Sequence, residues 1–199
     1  MTKVPAEEQI NTLHYVLASG WIKDWWCAVD GGANCGDWSY VMAHHFCHVH
    51  AFEPASDTCE LLRSKLDDVA NVTIHETALL DASRRVSVLH PPKKLSDRAR
   101  YMIPDDAGDA TAIALDDLGL STCGLLKLDL EGGEHSALLG AQDTIKRCRP
   151  VIIIELNGHG RRYGYTDAET VALIEDMGYG LAHEQAPDKV YVPIEVLHG

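Results

Sequence analysis

A chain of 199 residues, 46% of them apolar, has material for one domain with a full hydrophobic core, which excludes a disordered polymer. A formal net charge of -13 argues against unspecific binding to nucleic acid or to an anionic membrane surface. No apolar run reaches the length of a membrane span, and the opening MTKVPAEEQ has no signal-peptide core, so a cytoplasmic protein with no membrane partner is expected. Cys27, Cys35, Cys47, Cys59, Cys123 and Cys148 form no CxxC pair and fall partly in apolar runs, as reduced thiols of that compartment would.

In chain order, Ile10, Leu13 and Leu17 recur at helical spacing behind Pro5 and stop near Gly20. With Trp21, Trp25 and Trp26 they predict a helical segment, 1–26, packed on a main domain, 27–199. CAVD (27–30) predicts a short buried strand, and 34–45 a helix carrying Trp38, Val41 and Met42. HVHAFE (48–53) predicts a second strand ended by Pro54, followed by a helix over 56–68 with Leu62, Leu66 and Val69 in register. VTIH (72–75) and 86–89 read as strands, and 90–110 as loop, with paired prolines and many charges. GLLKLD (124–129) is the next strand, and Leu138, Ala141 and Ile145 mark one helix behind it. VIIIE (151–155) is continuously apolar, as a parallel strand covered on both faces would be. Thr166 and Glu169 make a capping box for a helix through Met177. KVYVPIEV (189–196) closes the chain as a strand that Pro193 interrupts, bulges or places near an edge.

Strands separated by helix-length segments predict an α/β fold with an open, mostly parallel, Rossmann-like sheet and helices on both faces. Such sheets bind ligands beyond the carboxyl ends of their strands. Asp30, Glu53, Asp129 and Glu155 all fall at predicted strand ends, which puts four carboxylates on one rim. Folding stability does not ask for that arrangement. The stretch DGGANCG (30–36) is not GxGxxG and lacks the Lys-Ser/Thr of a phosphate-gripping loop. Gly32 and Gly36 allow a tight turn and a close backbone approach, and Asn34 tolerates an unusual backbone angle or donates a hydrogen bond. Asp30 would repel a pyrophosphate and attract an ammonium group. Glu53, 23 residues on, stands where a carboxylate takes a ribose diol. An amino group and a ribose without a phosphate describe S-adenosylmethionine.

VDGGANCGDWS (29–39), AFEP (51–54), LDDL (115–118) and KLDLEGGE (127–134), continued by LGA (139–141) and IIE (153–155), resemble the FkbM family of S-adenosylmethionine-dependent methyltransferases. The resemblance implies a class I methyltransferase fold and O-methylation of a hydroxyl on a sugar or small-molecule natural product. It places Asp30, Gly32, Asn34 and Gly36 around the methionine part of the cofactor, Glu53 at the ribose, and Thr77 and Ala78 near the adenine. Gly31 and Gly133 depart from the family, which has a β-branched residue and an alanine there.

Methyl transfer to a hydroxyl needs an oriented nucleophile and a group to take its proton. Alternation in LLKLDLE puts Lys127, Asp129 and Glu131 on one side, with Asp129 at the strand end beside the cofactor. Glu131 is favoured as general base, with His135 the other candidate, and Lys127 either pairs with Glu155 or helps to hold the substrate. His48 and His50, in HHFCHVH (44–50), share a strand face and make a zinc site conceivable, but they lie away from the rim, so no metal is assigned there. Magnesium held by Asp129, Glu131 and Glu155 is the other metal alternative weighed. Lys93, Lys94, Arg98 and Arg100 make 90–101 basic in an acidic chain, which would draw an anionic acceptor. Two further readings stay open: a non-catalytic S-adenosylmethionine-binding module, and a nicotinamide-dependent oxidoreductase, against which the missing GxGxxG counts. Nucleic acid is an unfavoured substrate, because no NPPY-type stretch for methylating a base amine is present.

Overall fold

The computed structural model describes residues 7–89 and 101–197. The first half runs α1 (Glu7–Ala18), β1 (Cys27–Gly31), α2 (Asp37–Ala43), β2 (His48–Phe52), α3 (Ser56–Lys65) and β3 (Val72–His75). Four short strands follow: β4 (Ala78–Leu79), β5 (Arg84–Leu89), β6 (Tyr101–Pro104) and β7 (Ala110–Ile113). The second half runs β8 (Leu125–Leu128), α4 (Glu134–Leu139), α5 (Gln142–Cys148), β9 (Val151–Glu155), α6 (Asp167–Asp176), β10 (Tyr179–Gln185), β11 (Asp188–Pro193) and α7 (Ile194–Leu197).

Seven strands make the main sheet, in the order β10-β11-β9-β8-β1-β2-β3. The pairs from β9 through β3 are parallel, and β11 runs antiparallel to both of its neighbours. The strand order reverses between β1 and β8, so a crevice opens beyond their carboxyl ends. Side-chain alternation divides the core between the two faces. Val29, Leu126, Leu128, Ile152 and Ile154 pack with Leu138, Ile145 and Ile174 of α4, α5 and α6. Ala28, Val49, Leu125, Val151 and Ile153 pack with Ile10, Leu13 and Val16 of α1 and with Met42 of α2. Both faces of β9 are therefore covered, which explains its unbroken apolar run. Leu13 and Val16 are fully buried, each stabilising the fold by about 2 kcal/mol, and this holds α1 on the sheet.

The open parallel sheet agrees with the sequence, while four local features differ. A second sheet, β4-β7-β5-β6, includes the strand expected at 86–89 but adds 101–104, which read as loop, and 78–79 and 110–113, for which no strand was expected. Its buried residues, Ala78, Val86, Met102 and Ala112, come one or two to a strand, too few to show a period of two. The helix expected through Leu138 and Ile145 is two helices, because Gly140 lies against the Leu80 carbonyl and a Cβ there would collide with it. β10 went unpredicted because Gly180 and the exposed Leu181 break its pattern. Pro193 ends β11, with residues 194–197 helical, and β11 is an inner strand; the irregularity falls on β10, between Leu181 and His183. All six cysteines are free, and no helix among the described residues is long and apolar enough to cross a membrane.

Candidate active site

The loop after β1 is built by backbone geometry. Gly32 has φ +75°, and a Cβ there would collide with the Asp129 carbonyl, so the loops after β1 and β8 touch. The N–H groups of Gly32 and Ala33 both donate to the Phe52 carbonyl, at 3.0 and 2.9 Å. Asn34 is also left-handed, with φ 49°, and its side-chain oxygen accepts from the Cys35 N–H at 2.8 Å. Its own N–H donates to Glu53 Oε2 at 3.1 Å, while Glu53 Oε1 accepts from the Ala55 N–H at 3.0 Å. The buried Glu53 carboxylate thus ties the glycine loop to the turn after β2. Gly36 is left-handed and leads directly into α2.

Asp30 and Lys127 are lateral neighbours on β1 and β8. Lys127 Nζ lies 3.0 Å from Asp30 Oδ1 and 3.9 Å from Asp129 Oδ2, and it donates to the Gly31 and Gly32 carbonyls at 3.1 and 2.9 Å. The second Asp30 oxygen accepts from Ser39 Oγ at 2.6 Å. Burial works against the Lys127 charge, but the carboxylates of Asp30 and Asp129 outweigh it and hold the pKa above the ordinary lysine value. Two sequence expectations change here. Lys127 pairs with Asp30 rather than Glu155, and Asp30, with 0% exposure, is not presented to a ligand's ammonium group.

The carboxyl ends of β8 and β9 carry the acidic groups. Burial raises Glu155 to about 9, helped by Asp129, with which it shares a hydrogen bond. Asn157 Nδ2 donates to Glu155 Oε2 at 2.7 Å. Burial also raises Glu134 to about 7, although its Oε1 accepts from the Leu130 and Gly132 N–H groups at 2.7 and 3.2 Å. Glu131 has φ 54° and a half-buried side chain, and desolvation and then Asp129 raise its pKa. Its Oε2 lies 3.0 Å from His159 Nδ1, and its carbonyl accepts from Arg162 Nη1 at 3.2 Å. The Arg162 guanidinium sits 4.9 Å over the Tyr101 ring, and Tyr163 Oη accepts from the Met102 N–H at 2.9 Å. The single turn over 159–163 therefore links the loop after β8 to β6 of the small sheet.

Asp30, Gly32, Lys127 and Asp129 come together where β1 meets β8, and the glycine loop joins Asn34 and Glu53 to them; Glu131 follows two residues after Asp129, and Gly36 lies against Leu62 of α3 and Leu66 just after it. Thr77 and Ala78 lie at the junction of the two sheets. The Thr77 hydroxyl donates to the Thr111 carbonyl at 2.9 Å, and Ala78 is buried in the small sheet's core. His135 is buried, stacked on Tyr165 at 3.8 Å, with Nδ1 3.2 Å from Thr170 Oγ1, so it packs α4 against α6. Sequence reasoning missed Glu134 and His159. The signal for Glu134 was an acidic residue opening the helix after a glycine pair. For His159 it was a histidine between two glycines just past the VIIIE strand. Lys93, Lys94, Arg98 and Arg100 lie outside the described residues.

Two outcomes follow from these charges. Lys127→Met leaves Asp30 buried without its cation and is expected to lower stability by about 3–5 kcal/mol; adding Asp30→Asn restores part of the loss. Urea denaturation of the single and double variants measures both. For Glu134, the folded pKa of about 7 exceeds the unfolded carboxyl value, so the folded state binds the extra proton. Its stabilisation is complete below pH about 4.5 and is lost as pH rises through about 7. Stability relative to Glu134→Gln should therefore fall across that window, and a constant difference between the two proteins would contradict the assignment.

The sequence matches the methyltransferase FkbM domain family over residues 30–181. Among solved structures, the fold is similar to the methyltransferase FkbM from Methylobacillus flagellatus (22% identity, TM-score 0.56), with 85% of this chain and 43% of that chain covered. This chain therefore spans less than half the length of that protein. It is also similar to an rRNA methylase from Streptococcus thermophilus (14% identity, 92% and 93% covered, TM-score 0.55). A third similar fold is magnesium protoporphyrin IX methyltransferase from Synechocystis with S-adenosylmethionine bound (12% identity, 94% and 80% covered, TM-score 0.54). No curated protein matches the sequence. At these identities the solved structures speak to the fold, which is that of class I methyltransferases, and the family match covers most of the chain. The chain belongs to the methyltransferase FkbM domain family, enzymes that take their methyl group from S-adenosylmethionine.

Proposed function

We propose that the chain is an O-methyltransferase acting on a hydroxyl of a sugar or another small molecule, with a preference for anionic acceptors. The observation that carries this reading is the Glu53 carboxylate, which fixes a glycine loop at the switch point of the sheet whose sequence has no phosphate-gripping Lys-Ser/Thr. When bound, S-adenosylmethionine supplies a methyl group activated by its sulfonium. Glu53 takes the ribose hydroxyls. Gly32, Asn34 and Gly36 shape the loop at the methionine end, and Asp30 acts there through Lys127, which clamps the Gly31 and Gly32 carbonyls. Asp129 closes the opposite wall, and Thr77 and Ala78 form the adenine end.

Glu131 is the general base. Its raised pKa brings its proton affinity closer to working pH than that of an ordinary carboxylate, which suits proton removal from a hydroxyl. His159, 3.0 Å away, orients the carboxylate. His135, engaged with Tyr165 and Thr170, is not part of this step. The basic residues of 90–100 give the acceptor its anionic preference, and the acidic remainder of the chain disfavours nucleic acid. A cytoplasmic setting fits the free cysteines.

Native mass spectrometry of the purified chain should show bound S-adenosylmethionine or S-adenosylhomocysteine. In calorimetric titration, Glu53→Ala should weaken S-adenosylmethionine binding by about 2 kcal/mol, roughly 30-fold, through lost charge-assisted hydrogen bonds. Wild-type affinity in the folded variant would remove the ribose assignment. Glu131→Gln should bind the cofactor normally and transfer methyl about 100-fold more slowly in single turnover. Uronic acids and sugar phosphates are the acceptors to screen, by release of S-adenosylhomocysteine. An unchanged rate takes the base role away from Glu131.

A further inference from the structure

The histidines of the 44–50 run lie away from the crevice and are not used by the proposed reaction. β2 and β3 gather two of them with a third. His48, His50 and Phe52 alternate onto one face of β2, and the pairing of Phe52 with His75 puts His75 on that face too. His50 Nδ1 and His75 Nε2 are 3.0 Å apart, and all three histidines are partly exposed. His75 is fixed by stacking on the buried Phe52 at 4.4 Å and 9°. His48 stands edge-on to His50 at 4.7 Å, with its Nε2 held 2.9 Å from Thr73 Oγ1.

We propose that His50 Nδ1 and His75 Nε2 bind a divalent transition-metal ion of the zinc class, with water completing the coordination. Two imidazole nitrogens on a tetrahedral zinc, at about 2.0–2.1 Å each, sit about 3.3 Å apart. The observed pair is about 0.3 Å short of that span, and each ring also has to turn so that its nitrogen faces the ion instead of the other nitrogen. On binding, the single proton between the rings passes to the outer nitrogen of the ring that carries it, so that His50 Nε2 and His75 Nδ1 each hold one proton and each inner nitrogen offers its lone pair. Among the described residues no group of three or more His, Cys, Asp or Glu side chains is arranged to hold a metal. The pair is thus an open, exchangeable two-ligand site, not a closed structural one. The sequence pointed to His48 and His50, but Thr73 engages His48, and the lateral pairing of β2 with β3 supplies His75 instead.

The test is calorimetric titration of the full chain with zinc chloride, alongside nitrogen NMR of the histidine rings. One exchangeable ion per chain is expected, shifting the His50 and His75 ring signals. His50→Gln and His75→Gln should each weaken binding at least tenfold, while His44→Gln with His45→Gln leaves it unchanged. Equal affinity in all four proteins would mean adventitious binding to other surface histidines and would overturn the proposal, as would no binding by the wild type. Should either Gln variant fail to fold, unmoved His50 and His75 ring signals in zinc-titrated wild type overturn it equally.

Discussion

One buried ammonium organises the crevice. Lys127 projects from β8 against Asp30 of β1 and also donates to the carbonyls that begin the glycine loop. At about 3 Å the Coulomb attraction of such a pair is several kcal/mol at an effective dielectric of about 20, but desolvating two ions consumes much of it. Its net stabilisation is therefore modest, while its geometric effect is large. It fixes the β1 loop at its start, and Glu53 fixes the same loop three residues later through the Asn34 N–H. Between those two anchors the backbone has to turn through Gly32, where the Asp129 carbonyl leaves no space for a side chain.

The same cation sets limits on the acids around it. Asp30 already neutralises Lys127, so the remaining carboxyls of the rim crowd one another with little positive charge to share. Burial first, with Asp129 adding to it, keeps protons on them: Glu155 is raised to about 9 and Glu134 to about 7. At neutral pH the rim therefore carries less charge than its composition suggests. Such a rim suits a cationic ligand better than a polyphosphate, which agrees with the S-adenosylmethionine dependence of the family.

The sequence made the frame of this site legible because the frame is written in local patterns. VIIIE announces a strand covered on both faces, and DGGANCG announces a turn that closes on backbone. Asp30, Glu53 and Asp129 were placed by strand ends alone. What the sequence hid depends on contacts between distant segments. Asp30 and Lys127 are 97 residues apart, and only the register of β1 with β8 makes them partners. His135 has the spacing of a rim residue, yet Tyr165 and Thr170, from beyond β9, draw it into a helix interface. The small sheet escaped for a different reason: its strands bury one or two side chains each, so pairing rather than pattern defines them.

That small sheet divides the labour of the molecule. It is joined to the main body through partly buried polar contacts: the Asp81 N–H donates to Ser136 Oγ of α4 at 3.1 Å, and the Met102 N–H donates to Tyr163 Oη at 2.9 Å. None of these contacts involves Glu53, Asp30 or Lys127. The turn over 159–163 and the strand β6 can therefore change their exposed side chains without disturbing the register that positions the strand-end carboxylates. Glu131 stands between the two regions, its carboxylate beside His159 and its carbonyl held by Arg162, whose guanidinium covers Tyr101. On the proposed reading, a substituent that reaches Tyr101 or Arg162 alters how the base is held before it alters how the cofactor is held. Acceptor choice and proton removal would then be coupled through one turn, and cofactor binding would rest on the rigid strand ends, as expected when variable loops are mounted on a fixed sheet.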